Sequence, residues 1–229
     1  MRTASILVFS QLLYFQATAQ HDQSFRINSL NDDSSTLYRS VYRYPQFTEG
    51  HILLNDRKMA AGLLNYNRFS GQILFINSKG DTLELANPKT IEYITIVNDT
   101  FRYFDRSFLK LVSHNDAVNL FKKETIEYTG KEKKGAYGGY SKTTGASAID
   151  KVPDANDLKK IGVDENDLYV SSAHYYLRSA DGFFLPAVKR SFKKLFPEKE
   201  KLLNQYLSEK KVNFNDENDL LRLLDYLNG

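Results

Sequence analysis

The chain has 229 residues, and its 31 basic against 28 acidic side chains leave a formal charge of +3. So small an excess gives no pull toward nucleic acid. Cysteine is absent, which excludes disulfides, thiolate nucleophiles, thiolate metal sites and the lipid-bearing cysteine of a lipoprotein.

The first segment has the marks of a secretory signal peptide. Arg2 supplies a positive start, Ile6 to Phe15 form an apolar run broken only by Ser10 and Gln11, and Ala17 and Ala19 stand at the spacing a signal peptidase reads. The run is too short to span a bilayer. Cleavage is expected after Ala19, which takes 19 residues from 229 and leaves 210, starting at Gln20 and carrying 30 basic against 28 acidic groups. The mature chain is therefore expected to be soluble, periplasmic or secreted, with neither a transmembrane nor a lipid anchor. Residues 20–47 form an N-terminal segment.

From residue 48 to 129 the chain reads as short strands spaced by about ten residues, an antiparallel meander. His51–Leu54 is followed by the turn "NDRK", then "GLLNYN", "QILFIN" and "TLELA", separated by "RFSG" and "SKGD". In "TIEYITIV", Ile91, Tyr93 and Thr95 point one way and Glu92, Ile94 and Ile96 the other, so both faces of that strand are expected to be covered. "FRYF", "FLKLV" and "AVNLFKKETIEY" complete the series. An open sheet backed by helices is expected rather than a small barrel.

Residues 130–153 are rich in Gly, Lys and Ser and read as a flexible connection. Gly130 and Gly135 give the spacing of a P-loop, but Ala136 and Tyr137 stand where Lys and Ser or Thr are required to reach phosphate and magnesium. Lys133, Lys134, Tyr137 and Tyr140 remain candidate contact residues, since long irregular loops often bind.

In residues 154–229 "LYVSSAHYYL", "SADG" and "FFLPA" read as a β-hairpin, after which the period becomes helical. Leu185, Val188, Phe192, Leu195 and Phe196 form one apolar stripe, and Lys189, Arg190, Lys193 and Lys194 lie opposite as a candidate basic surface for anionic lipid or an acidic partner. Pro197 ends this helix and opens the next, whose stripe is Leu202, Leu203, Tyr206 and Leu207. Asn215 or Asp216 caps the last helix, with Leu220, Leu221, Leu224 and Leu227 as its buried face. The fold class is α+β: an antiparallel β-meander followed by a β-hairpin and three short C-terminal helices that pack on the sheet.

No catalytic or metal motif survives inspection. The histidines His21, His51, His114 and His174 have no i, i+4 pair. The acidic stretch from Asp154 has Lys159 where an EF-hand loop needs glycine. Ser107–Lys110 and Ser191–Lys194 fit S-x-x-K without its partner motifs. A carboxylate pair would leave no signature, and none is singled out. No cofactor and no metal are expected.

"FTEGHILLNDRKMAAGLLNYNRFSGQILFI", with its Leu-Asn-Tyr-Asn element at Leu64–Asn67, and the helical tail from Ser191 resemble segments of uncharacterised exported proteins of Gram-negative bacteria. The resemblance implies export and no known reaction. The expected function is that of a non-catalytic binding or scaffolding module for a protein or envelope component. The alternatives are a lipid or glycan carrier with a pocket in the meander, and an envelope hydrolase without a recognisable motif.

Overall fold

The computed structural model describes residues 23–26, 34–115, 117–134, 140–143 and 167–229. The N-terminal segment contributes β1 (Gln23–Arg26) and α1 (Ser34–Val41). Then come β2 (Thr48–Leu54), β3 (Met59–Asn67), β4 (Gln72–Ile76), β5 (Thr82–Glu84), β6 (Ile91–Ile96), β7 (Asp99–Phe104) and β8 (Ser107–Ser113). Two long strands, β9 (Val118–Lys134) and β11 (Asp167–Ser179), flank the short β10 (Tyr140–Thr143). After β12 (Phe184–Pro186) the chain forms α2 (Lys189–Leu195), α3 (Glu200–Glu209) and α4 (Glu217–Asn228).

All described strands join one antiparallel sheet in the order β5-β4-β3-β2-β6-β7-β8-β9-β11-β1, with β10 on β9 and β12 on β11. The meander is therefore interrupted once. The fully exposed β5 stays an edge, and β6 pairs instead with the far side of β2. The stretch over 130–153 also begins as strand: β9 continues through Lys134, and Tyr140–Thr143 returns on Lys134–Lys131.

The sheet is not open along its length. It coils until the β3–β4 turn lies against β8 and β9, where the Phe108 N–H donates to Gly71 O at 2.7 Å and the Ile126 N–H to Arg68 O at 3.1 Å. Glycine permits this approach: Gly71 has φ +69°, and a Cβ there would stand 2.7 Å from Ser107 Oγ. Asp105 and Arg106, at φ 47° and 61°, form the two-residue β7–β8 turn, whose twist matches the flanking strands.

The curl encloses Ile52, Leu64, Tyr66, Ile73, Ile91, Ile94, Ile96, Phe101 and Phe108. Here Ile91 departs from simple alternation. A bulge pairs Leu53 with Tyr93 but Leu54 with Ile91, so Ile91 turns to the same interior as Ile94 and Ile96. One face of β6 is buried, rather than both.

A second cluster seats the helices on the near ends of β9 and β11 through Val118, Leu120, Tyr175 and Leu177. Phe192, Phe196, Leu203, Leu220, Leu223, Leu224 and Leu227 are its helical side. Four stripe positions differ from the periodic expectation. Leu185 is in β12, and Val188 and Leu202 are 45% and 42% exposed. In α4 the buried face takes Leu223 where Leu221 is expected, and Leu221 packs only at the edge. Asp216 caps α4 by accepting from the Asp219 N–H at 2.9 Å. A third cluster holds α1 through Val41 and Tyr42 against Leu74, Ile126 and Tyr169.

Candidate functional site

The Leu64–Asn67 element organises the site. All four of its residues are buried. Asn65 Oδ1 accepts from the Tyr44 N–H at 3.1 Å, and Asn65 Nδ2 donates to Tyr44 O at 3.0 Å and to the Tyr38 hydroxyl at 3.1 Å. This fastens Tyr42–Tyr44 beside β3 as a strap, reinforced by the Arg43 N–H on Tyr66 O at 3.0 Å and the Arg68 N–H on Val41 O at 2.8 Å. Tyr66 Oη donates to Glu124 O at 3.0 Å, tying β3 to β9. Asn67 Oδ1 accepts from the Phe69 and Ser70 N–H groups and shapes the β3–β4 turn.

Under the strap lies an open cleft of about 500 Å³ lined by Arg39, Tyr42, Arg43, Tyr44, Arg68, Asp99 and Glu124. Arg43 is the lining residue that engages both acids. Its Nε donates to Asp99 Oδ2 at 2.9 Å and its Nη1 to Glu124 Oε2 at 2.7 Å. Tyr44 Oη also donates to Asp99 Oδ2, at 2.7 Å. Lys110 Nζ stands 3.6 Å from Asp99 Oδ1, and Lys122 Nζ bridges Glu124 Oε1 and Glu217 Oε2, each at 3.2 Å. Tyr175 Oη donates to the same Glu217 oxygen at 3.3 Å, so the start of α4 is wired to the cleft lining.

Arg43, Asp99 and Glu124 keep their charges. Burial opposes ionisation of both acids, yet Tyr44 and Arg43 hold Asp99 below its ordinary range, and Arg43 and Lys122 do the same for Glu124. Burial also works against the Arg43 cation, but Glu124 and Asp99 outweigh it and raise its pKa further. Burial and the neighbouring Asp99 carboxylate push the Tyr44 phenol up, so it stays a neutral donor. Burial and Glu124 act in the same direction on Tyr66.

Arg43, Lys110 and Lys122 thus answer Asp99, Glu124 and Glu217 charge for charge. Arg39 and Arg68 have no carboxylate partner among the described residues; Arg68 reaches only Ser171 Oγ, at 3.4 Å. The lining of the cleft therefore carries surplus positive charge among the described residues.

None of the residues singled out in sequence lines this cleft. Lys133 and Lys134 fall at the end of β9, Tyr140 opposite Lys134 in β10, and Tyr137 outside the described residues. Lys189, Arg190 and Lys194 are exposed on α2, while Lys193 pairs with Glu200 at 2.7 Å. Among the described residues the first set lies on β9 and β10 and the second on α2. The acidic stretch compared with a calcium loop lies outside the described residues except for Asp167. Among the described residues no group of three His, Asp or Glu side chains converges as a metal site, and no helix is long and apolar enough to cross a membrane. The signal that was available is "RSVYRY" at Arg39–Tyr44, where cations and tyrosines alternate just ahead of the first strand of the meander. Compared with protein families, curated proteins and solved structures, the chain finds no match.

Proposed function

We propose that the chain is an exported, non-catalytic binding module of the bacterial envelope and that the cleft beneath the Tyr42–Tyr44 strap is its ligand site. The observation that carries the reading is the charge arrangement: the acids that line the cleft are satisfied by fixed cations, while Arg39 and Arg68 line it without a carboxylate partner among the described residues. Such a site is preorganised to receive charge. A hydrolase that works through a pair of carboxyls would need one held protonated beside an ionised one. Here Asp99 and Glu124 share one guanidinium and both are shifted toward the ionised form. A lipid carrier would need an apolar cavity, whereas the described residues inside the curl are packed Ile, Leu, Tyr and Phe side chains. In this reading the β11–β12 hairpin and the three C-terminal helices are scaffold, holding β9 and Glu124 in place.

The test is native mass spectrometry of the protein purified from the envelope of an expressing Gram-negative bacterium, as wild type and as Arg68→Gln. The expected mass begins at Gln20, with a reproducible adduct that the variant loses. A mass retaining residues 1–19 would remove export from the proposal. An adduct that survives Arg68→Gln would remove the cleft from it.

A further inference from the structure

We infer that the group taken by the cleft is a phosphomonoester, an inference that rests on the binding reading above. Asp99 and Glu124 are the acids facing the cleft among the described residues, and both are already engaged by Arg43, Lys110 and Lys122. The charge left to be answered is that of two guanidiniums, Arg39 and Arg68. A single carboxylate would neutralise only one of them. A phosphomonoester carries between about one and a half and two negative charges at neutral pH, and its oxygens suit the planar guanidinium fork.

The arginines are held where they could share such a group. Arg39 sits one helical turn before Arg43 in the α1–strap segment, and the Arg68 backbone is fixed to Val41 O at 2.8 Å. Tyr42 and Tyr44 line the same cleft, and its volume of about 500 Å³ leaves room for an organic remainder beyond the phosphoryl oxygens. The third guanidinium is not part of the recognition: Arg43 is consumed by its two carboxylates.

The probe is inorganic phosphate, titrated into the mature chain and followed by amide chemical shifts. Saturable shifts are expected at residues 42–44, 68 and 99, with acetate producing none. Arg39→Gln and Arg68→Gln should each weaken phosphate by about tenfold or more, the loss of one charge-assisted contact. Arg102→Gln, which alters a side chain bonded to Glu92 O and away from the cleft lining, should leave the affinity unchanged. Phosphate binding that is indifferent to Arg39 and Arg68 would overturn the inference. Co-sedimentation with phosphatidylcholine vesicles containing phosphatidic acid, dependent on Arg68, would support a lipid headgroup as the source. Phosphate binding without co-sedimentation would support a soluble phosphomonoester. If phosphate and vesicles both fail while the envelope-purified protein keeps an Arg68-dependent adduct, the ligand class is wrong and the cleft stands. If no adduct is kept either, both readings fall.

Discussion

Arg43 answers two carboxylates at once. Its side chain and that of Asp99 are each 23% exposed and that of Glu124 18%, so the pair energies are screened less than on an open surface and more than in a dry core. Arg43→Met keeps most of the apolar stem but removes the fork that answers both acids, with Lys110 and Lys122 left as partial compensation. We expect a loss of about 2–3 kcal/mol, below the roughly 3–5 kcal/mol of a broken, fully buried pair. It should be seen as a lower urea midpoint at unchanged slope. The same contacts set an acid limit on stability. In the unfolded chain these carboxyls titrate near 4, whereas in the fold Asp99 and Glu124 lie lower. The unfolded state therefore takes up protons first, and their contribution is complete above the unfolded value and is lost as pH falls through the folded ones. Urea midpoints taken from about pH 6 down to pH 2.5 should fall steeply in the wild type and less steeply in Arg43→Met. Parallel profiles would show that these acids are not the source.

Turns and caps position the elements that carry these residues. The β3–β4 turn closes the curl at Gly71, where a left-handed backbone meets a contact too short for any Cβ. Gly71→Ala combines a backbone penalty of about 1–2 kcal/mol with overpacking of about 1–3 kcal/mol, so a destabilisation of roughly 2–5 kcal/mol is expected by chemical denaturation. A neutral result would mean that the turn is free to shift away from β8. On the other side of the molecule α4 depends on burial more than on its cap. Leu224 is 2% exposed in the helical cluster, and Leu224→Ala should cost about 2–5 kcal/mol. Asp216→Ala removes one hydrogen bond to the helix N-terminus and should cost about 1 kcal/mol. Reversal of that order in thermal melts would mean that α4 is held by its first turn rather than by its leucines.

One continuous sheet binds the three clusters into a single molecule. Val118 and Leu120 of β9 lie in the helical cluster and Ile126 of the same strand lies under α1. Lys122 and Glu124, between them, join α4 to the cleft. A strand shared in this way cannot lose one cluster without exposing the next, so unfolding should be a single cooperative step. With 15 tyrosines and no tryptophan, tyrosine fluorescence reports the packing and far-ultraviolet circular dichroism the backbone. Their urea transitions should superimpose, and two separated midpoints would show the helices unfolding as an independent unit.

The division between what is local and what is long-range explains which features were legible. Strand runs with alternating Ile, Tyr and Thr, turns at Asn, Asp and Gly, and the Asp216 cap depend on neighbours a few residues apart, and these are readable along the chain. Even α1 left a trace, since Tyr38, Val41 and Tyr42 stand at helical spacing, although a single turn of pattern inside a polar segment is too little to distinguish it. The Leu64–Asn67 element was visible as a quoted motif, but nothing in those four letters says that Asn65 anchors a strap twenty-one residues earlier in the chain. Arg43 meets Asp99 and Glu124 across 56 and 81 residues, and no periodicity spans such distances. The composition and short-range pattern of the chain determine an antiparallel, cysteine-free α+β protein with helices at its end. Only packing decides that β6 bypasses β5, that a bulge turns Ile91 inward and that Gly71 lets the sheet close on Ser107. Those three choices bring the strap, β7 and β9 around one cleft, because register and close approach are settled by every strand together.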